Sequence, residues 1–488
     1  MSYQPVIGLE IHIELNTKTK MFCGCSTSFG APPNTNICPI CTGQPGVLPV
    51  ANKKAIEMTI KTALALNCKI NSFCVFARKN YFYPDLPKNY QISQYEQPFA
   101  EHGFLEIEIK DKKKKIGIKR VHLEEDTGKL LHAIGSKELD YSLVDFNRSG
   151  VPLLEIVSEP DINSEEEAYI YLSTLKNILQ YIDVSDCDME KGSLRCDANV
   201  SVRYINGPLG TKTEIKNMNS FKAVKSALEY EIKRQIELLK EGEKIVQETR
   251  LWDDKLGITQ SMRSKEEAHD YRYFPEPDLV PIELDQNFIE EIKKTIPLLP
   301  IQRKEKFITE YGLSEYDSKV LTSQKELADY FEESLSILKQ NYSIDKVAKL
   351  LSNWITTELL GKLNAENKDI SQSPVSPENL AKLIKLILDQ TISSKIAKDV
   401  FDEMFKTGKN PEDIVREKNL LQITDEKEIN NLVEKAIKEN PKAVQEYLSG
   451  KKQAFGAIVG YIMKISKGRA NPRLVNEFLQ KKLSEQNK

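Results

Sequence analysis

The spacing of apolar residues changes once along the chain, and that change limits the architectures open to it. Up to about residue 290, short alternating runs and amphipathic stretches follow one another. From about residue 300 onward the period is helical, the connectors are polar and strand signals almost vanish. This division predicts an α+β region followed by an all-α region. The clearest alternating run is GLEIHIEL, residues 8–15. On an extended chain Leu9, Ile11, Ile13 and Leu15 share one face, while Glu10, His12 and Glu14 line the other. A strand with one solvated face accounts for this pattern. A floor for a divalent cation does too, because oxygen ligands and a neutral imidazole suit such ions. Eight residues leave both readings open.

Other segments fill in the first region. FLEIEIKDKKKKIGIKRVHLEED reads as a hairpin whose lysine-rich tip is a solvated turn that blunts edge pairing. SEEEAYIYLSTLKNILQYI is a helix with Ser164 and Glu167 at capping-box spacing. GSLRCDANVSVRY alternates, with Arg195, Asp197, Asn199, Ser201 and Arg203 on one face. FKAVKSALEYEIKRQIELL places Phe221, Val224, Leu228 and Ile232 on one helical stripe, as core residues. Beyond TIPLLP, Ser376 and Pro377 open a helix as cap and first residue. A break at Gly408 to Pro411 sets off a small helical tail. The expected domains are therefore 1–294, 295–408 and 409–488.

Four of the eight cysteines cluster in FCGCSTSFGAPPNTNICPIC as Cys23, Cys25, Cys38 and Cys41. Two close pairs flanking a Gly/Pro/Asn loop can converge four thiolates on one tetrahedral zinc. Such a site has no open position and is structural. Cys68, Cys74, Cys187 and Cys196 are scattered and read as small hydrophobes. No run approaches the ~20 apolar residues of a membrane helix, and strand-like sequence begins almost at once, so a cytoplasmic protein without membrane association is expected. The formal net charge of −3 does not announce a nucleic-acid binder. Residues 451–488, however, carry nine Lys and Arg against Glu477 and Glu485 alone. That basic tail either meets a polyanion or is a solvated helix face.

No P-loop, Rossmann fingerprint or serine-hydrolase elbow is present. What stands out instead are polar strings between strands: RKNYFYPDLPKNYQISQ (78–94), HLEEDTGK (122–129), VDFNRSGVPLLEIVSEP (144–160), GSLRCDANVSVR (192–203) and DYRYFPEPDL (270–279). Together with ISKGRANP (465–472), they resemble the B-subunit family of aspartyl/glutamyl-tRNA amidotransferases, and the resemblance runs along essentially the whole chain. It implies a cradle-shaped first domain with kinase and transamidase chemistry, a helical domain and a tail, the last two gripping tRNA. The implied reaction activates the side-chain carboxylate of misacylated Glu-tRNA(Gln) or Asp-tRNA(Asn) with ATP. Ammonia then displaces phosphate to leave the amide. No glutaminase signature is present, so the resemblance implies two partners: a large amidase, the A subunit, which supplies ammonia, and a small C subunit, which braces the pair.

The resemblance also distributes roles. Glu10, His12, Glu125 and Glu155 would hold Mg2+, although strand parity puts Glu124 and not Glu125 on the face of His122, so either glutamate is admissible. His122 is as well explained by a structural role. Arg148 and Arg195 would clamp phosphate, and Lys79 would touch the aminoacyl end or line an ammonia route; each is equally compatible with a structural ion pair. The zinc cysteines are structural, and Lys467, Arg469 and Arg473 would meet tRNA. The archaeal E-subunit relatives carry a synthetase-like insertion, whereas here DYRYFPEPDL leads into TIPLLP and helices. A rival of another class, an inert tRNA-binding zinc protein, has no use for the Glu/His face.

Overall fold

A computed structural model describes residues 3–110, 112–135, 137–262 and 270–485. The chain divides into two compact units, residues 1–300 and 301–488. Among the described residues strands are confined to the first unit, so the change of apolar period coincides with a change of architecture.

The first unit is built on a nine-stranded sheet. Its strands in chain order are β1 (Tyr3–Glu14), β2 (Lys69–Ile70), β3 (Ala100–Ile109), β4 (Lys112–Glu125), β5 (Pro152–Ser158), β6 (Leu194–Tyr204), β7 (Thr213–Lys216), β8 (Thr249–Asp253) and β9 (Ile258–Ser261). Across the sheet they run β9-β8-β7-β6-β1-β5-β4-β3-β2. All pairs are antiparallel except β7 with β8. The strand carrying Glu10, His12 and Glu14 is thus central, with five-residue pairing to β5 and eleven-residue pairing to β6. Ile7, Leu9, Ile11 and Ile13 on its apolar face are fully buried. Each contributes roughly 1.5–3 kcal/mol by leaving water.

Three helices supply most of the other half of that core: α1 (Lys53–Ala65), α2 (Glu165–Tyr181) and α3 (Phe221–Lys240). Their starts follow from local chemistry. Asn52, Ser164 and Ser220 each accept hydrogen bonds from free backbone N–H groups of the first turn. At α2 the expected box is modified, because Glu167 reaches back to the N–H of Asn163, one residue before the cap. The scattered cysteines 68, 74, 187 and 196 are buried among these apolar side chains. The polar face of β1, β4, β5 and β6 is left outside this core.

The described residues of the second unit form helices and their connectors around two apolar cores, one from Phe307 to Val415 and one from Ile423 to Leu483. The helix Pro377–Leu388 begins as expected, with Ser376 capping the Asn379 N–H. The change of core falls after the expected boundary at 408. The short helix Pro411–Glu417 buries Ile414 and Val415 in the earlier core, and its start is a cap, Asn410, and not a linker.

Candidate active site

Antiparallel register assembles the site. Arg195 on β6, His12 on β1, Glu155 on β5 and His122 on β4 are successive Cα partners, forming one row across four strands. Glu124 stands two residues along β4 on the same face. The His12 Nε2 lies 3.4 Å from Glu155 Oε2 and 3.8 Å from Glu124 Oε1. His122 Nε2 lies 3.2 Å from Glu155 Oε2 and 3.7 Å from Glu124 Oε2. Ligand atoms of His12, Glu124 and Glu155 fall within 4.8 Å of one another, the spread of a single cation site. His12 and Glu155 keep 22% and 15% of their side chains exposed, so an ion there would be open toward solvent and substrate.

The charges in this row hold one another. Burial works against a charged imidazole, yet Glu155 and Glu124 carry His12 and His122 above their ordinary value. Burial likewise opposes ionised Glu155, but His122 and His12 keep its carboxylate well below the usual range. Glu124 is lowered against its burial chiefly by His122, and it accepts a 2.9 Å bond from Ser93 Oγ. With its proton released to an incoming ion, His12 would join the ionised Glu124 and Glu155 as a donor set of the kind divalent cations take.

Glu125, expected as a ligand, lies apart from this group. β4 stays regular to its end, so Glu125 points to the opposite side from Glu124. Its carboxylate pairs with Lys88 and accepts the Ile92 N–H at 2.9 Å. Glu10 lies on the site face, but its Oε1 is engaged by Asn199 at 2.9 Å and it stands beside the three-residue group.

Next to the row, Asp126 gathers two guanidinium groups. Arg195 Nη2 lies 2.7 Å and Arg148 Nε 3.6 Å from the same Asp126 oxygen. Arg148 also donates to the carbonyls of Thr127 and Gly128, at 3.1 and 2.7 Å. Glu14 completes this cluster; burial and then Asp126 push it up to about 8, so it carries a proton at neutral pH. Lys79, on the strand Ala77–Asn80, sits 5.0 Å from the Tyr271 ring centroid and 5.7 Å from that of Tyr81. Burial opposes its charge, and Glu124 heads the groups that keep it protonated.

The four clustered cysteines also meet, with their sulfur atoms within 4.8 Å of one another. Cys38 and Cys41 are 3.9 Å apart, close to the ~3.8 Å separation of sulfurs sharing a tetrahedral zinc at ~2.3 Å. Cys41 is held as a thiolate, at about 4, by Cys23 first, with the Cys38 N–H and Lys20 adding to it against burial. The Lys20 ammonium, almost fully buried, lies 3.6 Å from the Cys41 sulfur. Burial pushes Cys25 up to about 11, so its thiol keeps its proton at neutral pH unless a metal draws it off.

In the tail, Lys467 and Arg473 are exposed, and Arg469 donates to the Asn419 carbonyl at 3.4 Å. Lys451 and Lys482 pair with Glu446 and Glu434. Lys488, counted among the basic residues, lies outside the described residues. Lys88, Lys20 and Ser93 escaped sequence reasoning. Their partners lie 37, 21 and 31 residues away, and nothing in a local pattern announces such contacts.

Residues 5–290 match the family model of the GatB/GatE catalytic domain, and residues 329–483 match that of the GatB domain. Among curated proteins, the B subunit of the aspartyl/glutamyl-tRNA(Asn/Gln) amidotransferase of Carboxydothermus hydrogenoformans is 58% identical over 484 residues, covering 99% of each chain. The proteins of the same name from Caldanaerobacter subterraneus and Persephonella marina are 57% and 54% identical, each over 99% of this chain and 100% of their own length. No helix among the described residues is long and apolar enough to cross a membrane. With identity of this level from end to end, and the family's catalytic-domain model lying over the sheet that carries the His/Glu row, the chain belongs to the B-subunit family of aspartyl/glutamyl-tRNA(Asn/Gln) amidotransferases.

Proposed function

We propose that this chain activates the side-chain carboxylate of Glu or Asp carried on tRNA(Gln) or tRNA(Asn) by phosphoryl transfer from ATP, and then completes the amide with ammonia. The observation that carries this reading is the single sheet face on which His12, Glu124 and Glu155 stand beside Arg148, Arg195 and Lys79. Phosphoryl transfer asks for charge neutralisation and alignment more than for a covalent nucleophile. No step requires a serine or cysteine nucleophile here.

In the first step a carboxylate oxygen of the aminoacyl group attacks the γ-phosphorus, the bond to the bridging oxygen breaks, and ADP leaves. His12, Glu124 and Glu155 would hold the divalent cation, with Glu10 beside them. Bound there, Mg2+ would neutralise charge on the phosphoryl oxygens. Arg148 and Arg195, steadied by Asp126, present guanidinium groups to the same oxygens. Lys79, held in its tyrosine pocket, orients the acyl carboxylate. In the second step ammonia attacks the acyl carbon, phosphate departs, and the nitrogen loses one proton. The ammonia is proposed to come from glutamine hydrolysed by a partner amidase, the A subunit, while a small C subunit holds the complex together. The four-cysteine cluster would hold zinc and stay outside the chemistry, having no open position.

The reconstituted complex, given both misacylated tRNAs, ATP, Mg2+ and glutamine, should form Gln-tRNA(Gln), Asn-tRNA(Asn) or both; ATP-independent amide formation would refute the activation step. Lys467, Arg469 and Arg473 are proposed to contact tRNA phosphates. Lys467→Glu with Arg473→Glu should weaken tRNA binding about tenfold and flatten its salt dependence, read by a salt series on the folded complex. Unchanged affinity and slope would return these residues to ordinary surface.

A further inference from the structure

The cysteine loop does more than fold around its four sulfurs. Its residues 31–36 are stitched to residues 144–147, the segment that leads directly to Arg148. Asn34 makes a two-way clasp. Its side-chain amide donates to the Val144 carbonyl at 3.0 Å, and its Oδ1 accepts the Phe146 N–H at 2.8 Å. Asn147 answers from the other segment, donating to the Pro32 carbonyl at 2.7 Å and accepting the Asn36 N–H at 2.8 Å. Lys20, which touches the Cys41 sulfur, also donates to the Phe146 carbonyl at 3.3 Å.

Just beyond Arg148, Met21 donates its N–H to the Gly150 carbonyl at 2.7 Å. Gly150 has φ +87°, and a Cβ there would lie 3.3 Å from the Cys41 Cβ, so the turn sits tightly on the cysteine loop. Arg148 is the exception in this stretch. Its guanidinium points the other way, to Thr127, Gly128 and Asp126.

We propose that Asn34 and Asn147 are positioning residues for Arg148: through them the cysteine loop fixes the turn that presents this guanidinium to the phosphoryl group. The proposal rests on the phosphate role assigned to Arg148 above. It gives the four-cysteine module a function beyond stability, as a buttress whose geometry is read out at the reaction centre. Two backbone segments more than a hundred residues apart in sequence are locked by side-chain amides, each able to donate and accept at once.

The test uses the complete complex with its partner chains. Asn34→Gly removes the side-chain bonds while tolerating the left-handed backbone at this position, where φ is +57°. Zinc content per chain should stay as in the wild type, and glutamine hydrolysis by the partner should be unchanged. The kcat/KM for ATP in amide formation should fall about tenfold, and hydrogen exchange across residues 144–151 should quicken. Asn34→Asp, which keeps the acceptor for the Phe146 N–H, should recover most of the loss. In an Arg148→Ala background Asn34→Gly should add nothing, because both act through one group. Asn147→Ala provides the same measurement from the opposite segment. An equal fold-loss with and without Arg148 would overturn the proposal, as would full activity of Asn34→Gly beside an inactive Arg148→Ala. Full activity of Arg148→Ala itself would instead remove the phosphate role.

Discussion

Two clusters of side chains that could hold a metal ion lie in the same unit and differ in nearly every physical respect. The four cysteines come from one stretch of nineteen residues, Cys23 to Cys41. They are soft, uniform donors with no vacant position, and they shape a loop. The His12, Glu124 and Glu155 group is drawn from three strands whose sequence positions span more than 140 residues. Its donors are hard and mixed, and part of the group faces out from the sheet. The first arrangement suits holding a fold and the second suits holding a substrate. The contrast shows that ligand type and openness, more than the presence of a cluster, separate a structural site from one that can do chemistry.

The sharpest break of this contrast should come from the cysteines. Replacing Cys38 and Cys41 by serine should abolish zinc binding and lower the thermal midpoint by roughly 10 °C or more, since an unfolded chain has no preformed site. Calorimetry with metal analysis checks this; zinc-free protein of unchanged stability would dissolve the distinction. Next, His12→Ala or Glu155→Gln should leave that midpoint nearly in place yet reduce ATP-dependent amide formation by about 10²–10³-fold. One cation is worth several kcal/mol to a developing phosphoryl charge. Partner glutaminase activity, measured in parallel, should be spared.

A smaller effect tests the electrostatics beside the site. Folded Glu14 holds its proton up to about 8, raised by burial and Asp126 from an ordinary 4.5. Between those values the native state binds a proton the unfolded chain has released. The stability linked to this group is complete below 4.5 and is lost as pH rises through 8. Glu14→Gln should therefore flatten the fall in thermal midpoint between pH 6 and 9 by roughly 2–4 °C. An unchanged pH profile would show that Glu14 is ionised in the folded chain.

The two clusters also differ in how far they could be read from sequence. Cysteine spacing within one loop is a local signal, and it announced four converging sulfurs directly. For the sheet face, alternation revealed that Glu10, His12 and Glu14 share a side, but the identity of their neighbours depends on register between strands far apart in sequence. Parity on β4 admitted Glu124 as well as Glu125, and the family resemblance pointed to Glu125; the regular pairing of β4 with β5 settles which carboxylate faces His12. Lys88 explains what Glu125 does instead, and no periodicity could have linked a lysine in a loop to a glutamate at a strand end. The change from mixed to helical architecture near residue 300 was legible because period is a property of each segment alone. The handover between the two helical cores is hidden from composition, because Asn410–Pro411 has the composition of a break yet serves as the start of one more helix of the earlier core.

On the reading proposed above, a divalent cation sits among His12, Glu124 and Glu155 and not at Glu125. The most direct test is the Mg2+ dependence of ATP-driven amide formation by the complex carrying Glu124→Gln or Glu125→Gln. Glu124→Gln should require about 10–100-fold more Mg2+. Glu125→Gln, whatever its overall rate, should keep the wild-type Mg2+ midpoint. A shifted midpoint for Glu125→Gln with an unshifted one for Glu124→Gln would contradict the assignment.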